Sequence, residues 1–344
     1  MGPYETEEDI SLLWMLFAAL AKIVAVFATT AVCVRAYVVY CRGVCRSRAT
    51  MEGKTVIITG GNGGIGKETA KELARRKARV IIACRNLEKA GRAAREIFEE
   101  TQEFVIIKPL DLASLKSVRA FAEDIMRTEA RLDVLINNAG VMVERSDVKL
   151  TEDGYEECFQ TNYLGHCLLT LLLLGLLKKS APSRIVNLSS FLHHLGNVDN
   201  LQAKAKGTDS GPFSMFIYFH TKLAIIMFTR ALASKLKGHG VTANTVHPGV
   251  VETDMGGSVT GIFSLMRLLT LKLYGKSVQE AAETSVHAAV DPALTLSTGK
   301  YFVDCREDWV NWKALDPKKT KEVFETTLRL VYYDAVDLDR ILSS

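Results

Sequence analysis

The chain has 344 residues, of which 48% are hydrophobic and 24% are charged, a balance typical of a globular protein with a large core. Its formal net charge of +4 is too small to predict a nucleic-acid partner. The seven cysteines include no CxxC pair, which argues against a disulfide framework and against a zinc site. We therefore expect no metal centre and a reducing, cytosolic environment.

The first long apolar stretch, residues 12–34, could cross a hydrocarbon core about 30 Å thick. Lys22 near its middle costs about +3 kcal/mol on insertion scales, which the surrounding leucine, isoleucine, valine and phenylalanine residues offset. Acidic residues precede this stretch and four arginines follow it, so the positive-inside rule places the N-terminus outside the cytosol and the remainder inside. We predict a short segment at 1–11, a transmembrane anchor at 12–34 and a basic juxtamembrane linker at 35–50; the alternative is a buried globular helix.

The segment Thr55–Gly66, TVIITGGNGGIG, reads as a buried strand, a glycine-rich turn and the start of a helix. Glycines allow the backbone to approach a pyrophosphate, and the N–H groups at the start of the helix then face the anion. Gly-rich turns join many strands to helices, so this pattern alone is weak evidence for a dinucleotide site.

A second strand is predicted at Arg79–Cys84 and is followed directly by Arg85. In a dinucleotide-binding fold this strand end faces the adenosine ribose, where a cation pairs with a 2′-phosphate. Arg85 therefore favours NADP(H) over NAD(H), whereas a solvated surface charge is the plain alternative. A charged helix at 87–100 and a third strand at 103–108 lead to Asp111 and Leu112, and Asp111 could also cap the next helix.

The fourth strand, predicted at 132–136, runs into Asn137-Asn138-Ala139-Gly140. Alternating strands and helices predict a parallel sheet with helices on both faces. The leucine-rich run Leu168–Leu177 is too short to cross a bilayer and is predicted to be a core helix. Further strands are predicted at 183–188, which delivers Ser189 and Ser190, and at 241–246.

Tyr218 and Lys222 lie four residues apart, so a helix would place them on one face. The lysine ammonium can then lower the pKa of the phenol from its usual value of about 10, which prepares it for proton exchange near neutral pH. This spacing occurs by chance in most proteins, and core packing is the plain alternative.

Together, TGGNGGIG, NNAG, Asn162 in TNYLGH, Ser190 and YxxxK resemble the short-chain dehydrogenase/reductase family from about Thr55 to Cys305. Within it, NNAGVM, RIVNLSSFLHHLG and GKYFVDC look most like the membrane-bound NADP(H)-dependent retinol dehydrogenases and retinal reductases. The resemblance implies an α/β, doubly wound Rossmann fold with a seven-stranded parallel sheet, here preceded by the transmembrane helix.

The resemblance also implies the site. Tyr218 would be the general acid/base, Lys222 would lower its pKa and bind the nicotinamide ribose, Ser190 would bind the substrate oxygen in preference to Ser189, and Asn162 would hold the water of a proton relay. The residues implied to bind the cofactor are Gly60, Asn62, Gly64, Ile65, Gly66, Arg85, Asp111, Leu112, Asn138, Tyr218, Lys222, Pro248 and Thr253.

The outer parts complete the domain plan. The stretch 261–274 is either an amphipathic lid at a membrane surface or a core-packing helix. The seventh strand is predicted at 299–305, and Asp316-Pro317 starts a last helix. We expect the short-chain dehydrogenase domain at 51–310 and a C-terminal helical extension at 311–344.

The prediction is a single-pass, membrane-anchored NADP(H) oxidoreductase that interconverts a lipophilic alcohol and its aldehyde or ketone, with retinol and retinal as the first guess. Steroids, fatty aldehydes and polyprenoid alcohols stay open as substrates, and a non-catalytic NADPH-binding membrane scaffold is the alternative of another class. The endoplasmic reticulum is the expected membrane, with mitochondrial and lipid-droplet membranes left open. Relatives often dimerise through helices around Leu168 and Leu223, which implies a homodimer.

Overall fold

The computed structural model describes residues 7–142, 148–209, 215–251, 268 and 270–343. Its strands in chain order are β1 (Thr55–Thr59), β2 (Arg79–Cys84), β3 (Ile106–Pro109), β4 (Val134–Asn137), β5 (Ser183–Leu188), β6 (Val241–His247), β7 (Val250–Val251), β8 (Gly275–Lys276), β9 (Tyr301–Val303) and β10 (Arg306–Glu307). The helices are α1 (Glu7–Tyr40), α2 (Gly64–Arg75), α3 (Leu87–Thr101), α4 (Leu115–Thr128), α5 (Glu157–Lys179), α6 (Leu201–Ala205), α7 (Met215–Lys235), α8 (Val278–Val290), α9 (Pro317–Leu330) and α10 (Ala335–Ser343).

The main sheet has the order β10-β9-β6-β5-β4-β1-β2-β3. Every neighbouring pair is parallel except β9 and β10, which pair antiparallel at the edge. The predicted seven-stranded parallel sheet is therefore confirmed, and the short strand β10 adds an eighth. The strand order reverses direction between β1 and β4, and α/β sheets bind their ligands beside such a switch point.

Helices cover both faces of the sheet, as the alternating pattern predicts. On one face, α2, α3 and α8 pack through fully buried side chains such as Leu73 and Ile97. On the other face, α4, α5 and α7 contribute Ile125, Leu171 and Phe228, which are also fully buried. The fold is thus doubly wound around two apolar layers.

Three helices among the described residues are long and apolar enough to cross a membrane. None of the span Trp14–Tyr40 is buried inside the protein, whereas 78% of the corresponding window in α5 and 83% of that in α7 are buried. The Leu168–Leu177 run is therefore a core helix, as predicted. Leu168 and Leu223 point into that core, so a dimer through these helices would use their outward faces.

The first helix is longer than the sequence predicts. Nothing between Val34 and Tyr40 interrupts it, since this stretch contains no glycine or proline, and α1 continues to Tyr40. The first residues of the predicted linker 35–50 are therefore helical. Trp14, Phe17 and Phe27 are each more than 60% exposed, at 68%, 65% and 72%.

The C-terminal residues pack on the same core instead of forming a separate layer. Phe324 of α9 stacks on Phe228 of α7 with ring centroids 5.2 Å apart, and it is 1% exposed. The side chain of Asp316 caps α9 by accepting from Lys318 N at 2.9 Å. The predicted extension 311–344 is therefore part of the globular domain.

Candidate active site

The glycine-rich turn joins β1 to α2 at the carboxyl edge of the sheet. Gly60 and Gly64 have φ values of +67° and +51°, in the left-handed region that disfavours side chains. A Cβ at Gly66 would collide with Asn138 Nδ2 and would lie 2.5 Å from Gly60 O. Asn62 is half-buried in the same turn, and Ile65 is half-buried in the first turn of α2. This backbone cradle fits the pyrophosphate of a dinucleotide.

Thr59 and Asn138 join the turn to β4. The Asn138 side-chain amide donates to Thr59 O at 2.8 Å, and Thr59 Oγ1 accepts from the backbone N–H groups of Asn138 and Ala139, both at 2.9 Å. Buried His166 lies 2.9 Å from the same hydroxyl through its Nε2 atom. The Asn138 amide therefore ties β4 to β1 at the point where the two motifs meet.

The second strand ends at Cys84, and Arg85 follows it with an exposed side chain. Within the described residues, the Arg85 guanidinium makes no hydrogen bond or ion pair. Lys67, which directly follows the glycine loop, instead forms an ion pair with Glu96 at 2.5 Å. Lys89 on α3 lies beside the loop, since a Cβ at Gly63 would be 3.2 Å from its Nζ atom.

Asp111 and Leu112 follow β3 at the same edge of the sheet. Asp111 Oδ1 accepts from Ala113 N at 3.0 Å, whereas the side chain that caps α4 belongs to Ser114. Leu112 is 5% exposed, and a Cβ at Gly165 would lie 2.5 Å from its carbonyl oxygen. Asp111 thus shapes the turn before α4. Gly165 permits α5 to pack closely against the Leu112 backbone.

Tyr218 on α7 and Ser190 after β5 meet at the carboxyl edge. The Ser190 side chain lies near the Tyr218 phenol and lowers its pKa. The neighbouring Ser189 is 3% exposed and donates to Lys222 O at 2.7 Å. Of the two serines, Ser190 therefore contacts the tyrosine, and Ser189 holds α7 against β5.

Lys222 lies one helical turn past Tyr218. Its Nζ atom is 5.3 Å from the Tyr218 ring centroid and donates to Leu188 O at 2.9 Å. Burial lowers the pKa of Lys222 to about 8. The ammonium is therefore held by a backbone carbonyl at the end of β5.

The Tyr218 pKa differs from the sequence-based prediction. Burial raises the pKa of Tyr218 to about 12, and the nearby Ser190 side chain opposes part of that rise. The sequence predicts that Lys222 lowers this pKa, but in the folded protein it is raised. Removing the phenol from water disfavours its charged form more strongly than the neighbouring side chains favour that form.

Asn162 lies in a π turn, Gln160–Leu164, within α5. Its side chain accepts from Val141 N at 2.7 Å and donates to Val141 O at 2.8 Å. The same amide lies 3.2 Å from Cys158 Sγ, and the Asn162 carbonyl lies 3.2 Å from His166 Nδ1. The side-chain amide and the main-chain carbonyl of Asn162 are thus both bonded within the protein. Single-turn π segments are frequent at functional sites.

Pro248 follows β6 and is half-buried beside Gly249, whose φ is +93°. The next residues form the short strand β7, which pairs with β8. Thr253 lies outside the described residues, as does most of the predicted lid 261–274. Its described residues, 268 and 270–274, are helical.

Three contributors to this site are not identified by the sequence motifs. Lys89, Cys158 and His166 lie beside the glycine loop, Asn162 and Thr59, respectively. Lys89 could have been suspected from its place in the first turn of the helix after Arg85. His166 ends the TNYLGH motif, which gives it no role by itself, and Cys158 carries no signal in the sequence. Both are buried positions on a helix face that only the packing of α5 on the sheet defines.

Comparisons with known proteins agree with this geometry. Residues 54–261 match the short chain dehydrogenase family. The chain is 47% identical over 292 residues to bovine (Bos taurus) retinol dehydrogenase 12, covering 84% of this chain and 90% of that protein. It is 46% identical over 303 residues to human (Homo sapiens) retinol dehydrogenase 13, covering 85% and 89%.

Solved structures share the fold. An uncharacterized protein from Mycobacterium paratuberculosis superposes with a TM-score of 0.67 at 30% identity, covering 85% of this chain and 98% of that one. L-sorbose reductase from Gluconobacter frateurii, solved with NADPH and L-sorbose, has a TM-score of 0.59 at 21% identity and covers 74% and 95%. The chain therefore belongs to the short-chain dehydrogenase family and, within it, to the retinol dehydrogenase group of oxidoreductases.

Proposed function

We propose that this protein is a membrane-anchored, NADP(H)-dependent oxidoreductase that interconverts a lipophilic alcohol and its aldehyde or ketone, with retinol and retinal as the first candidates. The observation that carries the proposal is the contact of Ser190 with Tyr218, with Lys222 one turn further along the same helix. The names and the identity of the retinol dehydrogenases support the retinoid choice.

The proposed cofactor site runs along the carboxyl edge of the sheet. The turn containing Gly60, Gly64 and Gly66 would hold the pyrophosphate, and Asp111 with Leu112 would border the adenine. Arg85 favours NADP(H), because an exposed guanidinium at the end of β2 can pair with a 2′-phosphate.

The remaining cofactor contacts are proposed around the nicotinamide. Lys89 lies beside the loop and would add a second cation to the phosphates. Asn138 and Pro248 would border the nicotinamide, Lys222 would bind its ribose, and Thr253 is proposed from the motif alone.

In the proposed mechanism, the Tyr218 hydroxyl protonates the carbonyl oxygen during reduction and takes the proton back during oxidation. Ser190 donates a hydrogen bond to the same oxygen and so favours the charge that develops there. Lys222 stabilises the deprotonated phenol and holds the end of β5. A bound nicotinamide supplies or accepts the hydride. Asn162 is proposed to hold the water that returns the proton.

The membrane part of the proposal rests on α1. Its apolar, exposed span from Trp14 to Tyr40 supports a single-pass anchor, and the arginines that follow support a cytosolic catalytic domain. We propose the endoplasmic reticulum as the membrane. A lipophilic substrate could then reach the site from the bilayer that holds the enzyme.

The test is turnover by the full-length protein in detergent with NADPH and a carbonyl panel: all-trans-retinal, a steroid ketone, a fatty aldehyde and a polyprenoid aldehyde. Tyr218→Phe is expected to lower kcat by about 10² to 10⁴-fold, because it removes the hydroxyl group that exchanges the proton. Tyr301→Phe is the matched control, since the buried Tyr301 hydroxyl has no hydrogen-bond partner within the described residues.

Each outcome has a defined meaning. Reduction of retinal that depends on Tyr218 supports the proposal. If the enzyme prefers another carbonyl of the panel, the proposed mechanism stands and that carbonyl replaces retinal as the proposed substrate. NADPH binding without turnover of any carbonyl would contradict the catalytic role and favour the scaffold alternative.

A further inference from the structure

The segment that follows the membrane-spanning part of α1 is bonded to the catalytic domain. Arg35 Nη1 donates to Gly275 O at 2.8 Å and to Leu273 O at 3.3 Å. Arg42 Nη2 donates to Gly275 O at 2.6 Å, and its Nη1 pairs with Glu280 near the start of α8. The last turns of the anchor helix are therefore joined to the domain at β8.

The next residues continue this attachment. Gly43 N donates to Asp304 Oδ1 at 3.0 Å, and Cys45 N donates to Glu283 Oε2 at 2.7 Å. A Cβ at Gly43 would overlap the main-chain carbonyl of Asp304, so the two backbones approach as closely as glycine allows. Residues 35–45, here called the strap, are docked and do not form a free linker.

The strap reaches the carboxyl edge of the sheet. Asp304 directly follows β9, whereas Ser190 follows β5, and both strands run parallel to β6 between them. Carboxyl ends of parallel strands lie at one edge, so the anchor arrives at the edge where the active site opens. Tyr37 and Tyr40 at the end of α1 are 68% and 88% exposed, and tyrosine is enriched at membrane–water interfaces.

Large apolar side chains are exposed at this same edge. We call them the aromatic face: Phe191, Leu195, Trp309, Trp312 and Leu315, which are between 55% and 74% exposed. The Trp309 ring lies 4.4 Å from that of His194, and Asn311 Nδ2 donates to His194 O at 2.9 Å. Chain segments 191–195 and 309–315 are therefore one surface, beginning at the residue next to catalytic Ser190.

We propose that the aromatic face rests in the interfacial layer of the bilayer that holds α1, so that the active site opens towards lipid. The proposal rests on the proposed membrane anchor and adds a second contact with the same membrane. Lipid is the expected partner of the aromatic face, because the strap fixes this edge of the domain at the end of the anchor. Tryptophan and phenylalanine suit this position because their rings prefer the headgroup layer.

The chain has three tryptophans, Trp14, Trp309 and Trp312, which permits a direct test. Full-length Trp14→Phe protein is reconstituted in phosphatidylcholine vesicles with or without acyl chains brominated near the headgroup, which quench nearby tryptophans. Trp309 and Trp312 are expected to lose emission in the brominated vesicles, and single Trp309→Phe and Trp312→Phe additions separate the two.

Two further proteins serve as references. Trp309→Phe/Trp312→Phe reports on Trp14 in the anchor alone. Adding Phe104→Trp to a chain without its native tryptophans gives the matched control, since Phe104 is 80% exposed just before β3, at the opposite edge of the sheet. It should keep its emission.

Quenching of Trp309 or Trp312 with an unquenched Phe104→Trp control supports the proposal. Equal emission of the face tryptophans in both kinds of vesicle overturns it. If Trp14 is still quenched in that case, the anchor stands without the second contact; loss of Trp14 quenching would remove the anchor itself. Shielding of the face from aqueous acrylamide without bromine quenching would mean that a protein surface covers it, which also overturns the lipid assignment.

Discussion

At the scale of single residues, the site depends on where polar side chains are removed from water. Tyr218 is 9% and Lys222 4% exposed, so burial disfavours the charged form of each. Burial therefore favours the neutral form of each group: it raises the pKa of Tyr218 to about 12 and lowers the pKa of Lys222 to about 8. In the proposed mechanism, Tyr218 therefore gives up its proton less readily than a phenol in water does.

The Lys222 value predicts the pH dependence of reduction. The pKa of Lys222 is lower in the folded protein than in the unfolded chain. The Lys222 side chain is therefore charged below about pH 8 and loses its charge as the pH rises through that value. We expect kcat for reduction to fall above about pH 8, and Lys222→Arg to move that limb upward because arginine stays protonated. A profile of kcat against pH that stays flat to strongly alkaline conditions would contradict the role of Lys222.

Arg85 carries the cofactor prediction. Arg85→Ala should raise the Kd of NADPH by about tenfold or more and leave that of NADH unchanged, since a hydrogen bond to a charged group is worth about 1.5–3 kcal/mol. Arg92→Ala is the matched control, because Arg92 is exposed on the following helix and pairs with Glu88. Equal loss of affinity for both dinucleotides in Arg85→Ala would argue against a 2′-phosphate contact.

At the scale of elements, the strand–turn–helix unit at the start of the domain is fixed by close backbone contacts. Gly66 lies against Gly60 O and Asn138 Nδ2, which connects the turn to β4. The motifs TGGNGGIG and NNAG are far apart in the chain, yet the Asn138 side chain of the second donates to two carbonyls of the first, Thr59 O and Gly60 O. The turn is therefore held from two strands.

Gly66→Ala tests this packing. The added methyl group must displace Asn138 or Gly60, and overpacking of this kind costs about 1–3 kcal/mol, so we expect lower thermal stability and weaker NADPH binding. In contrast, Gly91→Ala on α3 meets nothing within 4 Å and should stabilise the protein by about 0.5–1 kcal/mol. Thermal unfolding and cofactor titration measure both; parent-like behaviour of Gly66→Ala would rule out the close contact.

At the scale of the whole molecule, the membrane anchor and the catalytic domain form one connected unit. The strap joins α1 to β8, α8 and the end of β9. The strap is bonded to β8, and β8 pairs with β7. The strap is therefore connected to the two strands that precede and follow residues 252–274. The position of the end of α1 on the catalytic domain is thus set by hydrogen bonds.

Gly43→Ala should detach the strap. Its Cβ would overlap the Asp304 carbonyl, so residues 41–48 are expected to become accessible to trypsin at Arg42, Arg46 and Arg48 in vesicle-bound protein, while the domain stays folded. Gly175→Ala, at an exposed helix position with open space, is the control and should be cleaved like the parent. Unchanged cleavage of Gly43→Ala would show that the strap tolerates a side chain.

The sequence by itself determined the parts that local chemistry dictates. Strand periodicity, glycine spacing and the Tyr-Lys interval predict the doubly wound sheet and its catalytic pair, and one uninterrupted apolar run predicts α1. These signals work because each is contained in a short stretch of chain.

Tertiary structure alone decided what depends on contacts between distant segments. The hydrogen bond of Ser189 with Lys222 O requires the packing of α7 on β5, the raised Tyr218 pKa requires burial, and the docking of Gly43 on Asp304 joins residues 261 positions apart. A local pattern holds no information about desolvation or about which backbone lies opposite. For that reason the residues 35–45 read as a linker from sequence and are a fixed strap in the folded protein.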